Sequence, residues 1–75
     1  MGVVLRKEVI MEMIQISLAA ARVNAELTQR DVAEEMGVTQ NTIVNWEKYT
    51  STPTVIQARK LAELYGIPVD AIRWT

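Results

Sequence analysis

The sequence predicts an all-α protein, a compact bundle of five short helices behind an N-terminal extension. Two observations carry the prediction. After Ser17 the chain is punctuated at short intervals by helix-starting Ser or Thr and helix-stopping Gly. Between those signals the apolar residues recur at three- and four-residue spacing.

Taken in order, Ser17 caps a first helix through about Ala25, rich in alanine, the best helix former. Thr28 caps a second, Gln29 to Met36, with Asp31 placed for a capping box and for the positive end of the helix dipole. Gly37 stops it where a left-handed residue is wanted. Only Val38 separates that glycine from Thr39, the cap of a third helix running to about Lys48. Tyr49 to Pro53 has turn composition and no periodicity, and reads as a loop. Thr54 caps a fourth helix that ends at Tyr65 before Gly66. Ile67-Pro68 opens a last short helix through Arg73, since proline is tolerated in a first turn.

The predicted core follows the same spacing. Val32, Ala33 and Met36 share a face of the second helix, and Ile43 with Trp46 share one on the third. Ile56, Leu61, Ala62, Leu64 and Tyr65 supply the fourth, while Leu27, Val38, Ile67 and Ile72 plug the gaps near the turns. The chain divides into an extension, residues 1–16, and a helical domain, residues 17–75. Within the extension Leu5, Val9, Ile10, Met13 and Ile14 fit a helical stripe. Val9, Met11 and Met13 against Ile10, Ile14 and Ile16 fit equally well a strand with two apolar faces.

Composition bounds the rest. Seventy-five residues make one domain at most, and a 49% hydrophobic content suits a chain that must build an efficient small core. Cys and His are both absent, so neither a disulfide nor a zinc staple is available. Apolar runs such as Ile16 with Leu18 to Ala21 are too short to span a bilayer. The start, with Arg6, Lys7 and Glu8 after a very short apolar stretch, does not read as a signal peptide. The expected location is the cytoplasm. A net charge of −1 argues mildly against a nucleic-acid partner, unless the basic groups cluster on one face.

Function is concentrated in Thr28 to Glu47, TQRDVAEEMGVTQNTIVNWE. Two helices joined by so short a turn must cross steeply, which is a helix-turn-helix unit. Ala33 is small where they come closest, Gly37 makes the corner, and Ile43 with Trp46 pins the third helix to its neighbours. Opposite that pair, Gln40, Asn41, Val44 and Asn45 form a short, uncharged, amide-rich face. A solvated helix more often carries Glu and Lys there. Residue type alone leaves a plain polar surface and a base-reading surface even. Placement at the start of a helix after a tight turn favours reading: amides bond adenine edges and an aliphatic group meets a thymine methyl.

Leu27-Thr28-Gln29, Ala33, Gly37, Val38-Thr39-Gln40 and Trp46-Glu47 together give the stretch a strong resemblance to the phage repressor and Cro-like (XRE-type) helix-turn-helix family, extending from about Ser17 to Trp74. The resemblance implies a sequence-specific regulator of transcription that places its third helix in the major groove of double-stranded DNA. It assigns base contacts to Gln40, Asn41, Val44 and Asn45. Phosphate contacts fall to Gln29, Thr39, Thr42 and Lys48, with Gln29 also bracing Gln40. The amide ends of two helices suit phosphate without formal charge. Arg22 and Glu47 match a family pair that forms a partly buried structural salt bridge. Two departures stand out: many relatives have glycine at the positions of Glu26 and Tyr49, and they carry more Lys or Arg where this chain has Thr50, Ser51 and Thr52. Fewer cations imply a shallow salt dependence.

The resemblance also implies a homodimer on palindromic half-sites, because one module covers too little DNA for tight specific binding. Dimer contacts are expected from the apolar extension, whose strand form would offer a pairing edge, or from the end near Ile72 and Trp74. The alternative is an antitoxin or protein-interaction module on the same fold, which the near-neutral charge allows. An enzyme is disfavoured by the lack of His, Cys, a glycine-rich phosphate loop or an acidic pair at metal spacing. Glu34-Glu35 reads as a solvated face. No cofactor or metal is expected.

Overall fold

In a computed structural model, which describes residues 15–75, the order is β1 (Ile16–Ser17), α1 (Leu18–Asn24), α2 (Gln29–Met36), α3 (Gln40–Glu47), α4 (Val55–Tyr65), a 3-10 turn (Val69–Ala71) and β2 (Ile72–Arg73). The alternative helix and strand forms of the extension lie outside the described residues, apart from its last two positions.

Local chemistry sets each helix start. The side-chain oxygens of Ser17, Thr28, Thr39 and Thr54 accept from the third amide of their helices, those of Ala20, Asp31, Thr42 and Gln57. Two of these are reciprocal capping boxes: Asp31 accepts from the Thr28 amide at 2.9 Å, and Gln57 from that of Thr54 at 2.9 Å. The bonds from the Thr28 amide and hydroxyl favour the charged carboxylate and so hold the Asp31 carboxyl below its ordinary value. At the other ends, Gly37 (φ 68°) and Gly66 (φ 70°) take the left-handed conformation that closes α2 and α4.

Packing then fixes the helices around one core of Leu18, Ala21, Val32, Ala33, Ile43, Trp46, Leu61, Ala62, Tyr65 and Ile72. Ile43 and Trp46, 1% and 4% exposed, seat α3 by its inner face. Two expectations change here. The predicted last helix is a single 3-10 turn, after which the chain extends and pairs in parallel with β1, Ile72 opposite Ile16 and Ser17 opposite Arg73. Among the described residues the helix count is therefore four plus that turn. Ile56, assigned to the core, is 80% exposed, and Val55 beside it is 71% exposed. Five residues before Leu61, Ile56 lies about 140° round the helix from the buried face.

Glu26 and Tyr49 both have φ of 60°, in the left-handed region that favours glycine. For Glu26, which is exposed, the strain has no compensating side-chain contact among the described hydrogen bonds. Glu26→Gly removes about 1–2 kcal/mol of left-handed strain and adds about 0.5–1 kcal/mol of unfolded-state entropy. A net gain of roughly 0.5–1 kcal/mol, a few degrees in Tm, is expected from thermal melts. A lower Tm would mean that the Glu26 carboxylate contributes more than its backbone costs.

Candidate nucleic-acid interface

The corner between α2 and α3 is two residues beyond the helical run, Gly37 and Val38, before the Thr39 cap. The Val38 amide returns to the Ala33 carbonyl at 3.0 Å and half-buried Val38 packs against the core, which locks the turn. With Ile43 and Trp46 directed inward, the opposite side of α3 faces out. Gln40 and Asn41 are exposed, and Val44 and Asn45 are half-buried beside them. These four residues form one outward strip along the helix.

Thr39 and Thr42 stand at the head of the strip. Their hydroxyls bond each other at 2.9 Å, and Thr39 caps the Thr42 amide. Lys48, the exposed C-cap of α3, stands at its foot.

Behind the strip lies an ion-pair network. Arg22 of α1 meets Glu47 of α3 with two parallel bonds, Nε to Oε2 at 2.6 Å and Nη2 to Oε1 at 3.2 Å, and its Nη1 donates to the Leu27 carbonyl at 2.9 Å. The two side chains are 15% and 8% exposed, so this is a partly buried bidentate pair. The hydrogen bond to Glu47 raises the Arg22 pKa further above its already high ordinary value, which keeps the guanidinium charged. Tyr65 of α4 sits within the field of the pair; burial first, then the Glu47 charge, pushes its hydroxyl up to about 12.

Gln29 has a different protein partner from the Gln40 that the resemblance implies. Its amide donates to Glu47 Oε1 at 3.1 Å, so it braces the ion pair rather than Gln40. The physical reason is charge: the Glu47 carboxylate is a stronger acceptor than the neutral amide of Gln40. Ile72, proposed as part of a self-association end, is fully buried and faces the core, whereas Trp74 is half-buried with its indole N–H on the Val69 carbonyl. Sequence reasoning missed Tyr49 as a contact residue; an aromatic ring at a glycine position was the available signal.

Among the described residues no cluster of His, Cys, Asp and Glu could hold a metal ion, and no helix is long and apolar enough to cross a membrane.

Comparison with known proteins bears on this geometry. The chain is 42% identical over 48 residues to the cryptic phage CTXphi transcriptional repressor RstR of Vibrio cholerae, covering 64% of this chain and 43% of that protein. It is 37% identical over 46 residues to an uncharacterized HTH-type transcriptional regulator of Methanocaldococcus jannaschii, covering 61% of this chain and 70% of the relative. The matched region thus spans less than half of the phage repressor's length. No solved structure matches the chain. A family model described as Helix-turn-helix matches residues 18–72, from the start of α1 into β2 and so across the whole α2–α3 unit. With most of its length inside that match and a phage repressor among its relatives, the chain belongs to the helix-turn-helix family of phage repressor and Cro-like type.

Proposed function

We propose that the protein is a sequence-specific double-stranded-DNA-binding regulator of transcription that lays α3 in the major groove. The observation that carries this is the outward strip of Gln40, Asn41, Val44 and Asn45, held away from the core by Ile43 and Trp46 on the opposite face. The strip offers amide donors and acceptors and one aliphatic contact, the groups that read adenine edges and thymine methyls. Gln29, Thr39, Thr42 and Lys48 flank it as candidates for backbone phosphates. The Gln29 amide reaches DNA only by sharing its donors with Glu47, since one of its two N–H groups is already engaged.

A homodimer is part of the proposal. An eight-residue recognition helix spans few base pairs, and paired half-sites supply the remaining contacts. Residues 1–16 and the Trp74 end are the candidate self-association surfaces. At the Trp74 end, exposed Val55 and Val69 line a groove with Pro53 and Trp74.

Selection of duplexes from a random-sequence pool tests the reading. The expected outcome is enrichment of one short motif, repeated with dyad symmetry at about one helical turn, about 10 base pairs centre to centre. Enrichment of a lone half-site would count against the dimer. The near-neutral charge of the chain leaves room for a second reading, a module whose partner is another protein; binding that does not vary with duplex sequence would turn the case that way.

A further inference from the structure

We infer that Tyr49 is a positioning residue for DNA reading, a latch that ties the exit of α3 to the β1–β2 pair; the inference rests on the DNA-binding function proposed above. Tyr49 follows the Lys48 C-cap and takes φ 60°, a backbone conformation that a bulky side chain rarely adopts. A glycine would meet the same turn without strain. What the tyrosine adds is at the far end of its ring. The hydroxyl accepts from the Leu18 amide at 3.2 Å and donates to the Arg73 carbonyl at 2.9 Å. Leu18 opens α1 and Arg73 lies in β2, opposite Ser17 of β1. The Arg73 guanidinium lies over the same ring, 5.0 Å from its centroid. One side chain therefore holds the points where β1 enters α1 and where β2 pairs with it.

The other end of the latch is α3 itself. The Tyr49 amide bonds the Trp46 carbonyl at 3.1 Å. The next two amides, those of Thr50 and Ser51, and the Thr50 hydroxyl all converge on the Asn45 carbonyl at 3.0, 3.4 and 3.1 Å. Asn45 belongs to the outward strip. A displacement of Tyr49 thus passes through two residues to the last reading position of α3. Conversely, any event that pulls β1 off β2, including a load on the extension that precedes Ile16, removes the partners of the hydroxyl and loosens that end of the helix. The Gln15 side chain, which donates to the Asp70 carbonyl at 3.2 Å, adds to the same clasp.

Tyr49→Phe isolates the hydroxyl, since it keeps the ring, the stacking and the backbone. Affinity is measured for the most enriched duplex of the random-pool selection, at a temperature where both proteins are fully folded, so that loss of stability alone leaves the result unchanged. The expected result is about a three- to tenfold weaker Kd with the same salt slope, because no charge is removed. Linkage requires the converse: saturating duplex slows hydrogen exchange of the wild-type Leu18 amide, which is buried at the start of α1. That measurement needs no variant and stands if Tyr49→Phe does not fold. Equal affinity of the two proteins, or a Leu18 amide indifferent to duplex, overturns the positioning role alone. A wild-type protein that enriches no duplex overturns it together with the proposed function.

Discussion

Arg22→Ala is expected to remove about 3 kcal/mol of stability, a large share of what a 75-residue domain holds. Among the described residues, the substitution leaves the Glu47 carboxylate, 8% exposed, with the Gln29 amide as its remaining donor, and strips the Leu27 carbonyl of its side-chain partner. Desolvation of the orphaned charge, rather than loss of the ion-pair attraction, makes the effect large. Thermal melts followed by circular dichroism are expected to show Tm lower by roughly 10–20 °C. The paired change Arg22→Met with Glu47→Leu separates the two effects. Apolar side chains of similar volume leave no buried charge, so most of the lost Tm is expected to return. A single variant melting within a few degrees of wild type would mean that solvent reaches Glu47 freely. A double variant no more stable than Arg22→Ala would mean that the attraction within the pair, not the desolvation, is the source.

The pair was legible in the sequence only through the family pattern, because Arg22 and Glu47 are 25 residues apart and no local rule joins them. What local rules do govern was readable residue by residue. Ser17, Thr28, Thr39 and Thr54 cap the helices assigned to them, and Gly37 and Gly66 end theirs in the left-handed region, since each of these depends on hydrogen bonds within one turn. The β1–β2 pair was not readable. It brings Ile16 to Ile72 across nearly all of the described residues, and two-residue strands are too short to leave an alternating pattern. Ile56 went wrong for a related reason: apolar identity was counted without its angular position, and the residue falls off the face that Leu61, Ala62 and Tyr65 bury. For the candidate site, the outward strip followed from placing Ile43 and Trp46 inward. The partner of Gln29 did not, because Glu47 lies 18 residues further along the chain and no local rule joins the two.

Gln40→Ala is expected to have the largest effect on DNA recognition and almost none on the fold. Gln40 is exposed at the first position of α3, and the helix start is secured by Thr39 rather than by Gln40. If the Gln40 amide bonds one base in a bidentate manner, its removal costs about 1–3 kcal/mol, roughly a 5- to 150-fold loss on the preferred duplex. Duplexes already mismatched at that base pair have no such contact to lose, so their affinity stays nearly constant and the preference collapses at one position. Lys48→Ala provides the contrast within the same helix. Lys48 is exposed beyond the last turn, and a phosphate contact there is indifferent to sequence. Its loss is expected to weaken all duplexes alike and to reduce the slope of log K against log salt by about 0.9. Competition binding of both variants against the enriched duplex and its single-base variants, at several salt concentrations, reads the two effects separately. An equal loss across all sequences for Gln40→Ala would place that amide on the backbone, and α3 would then position the protein without reading the first base of its site.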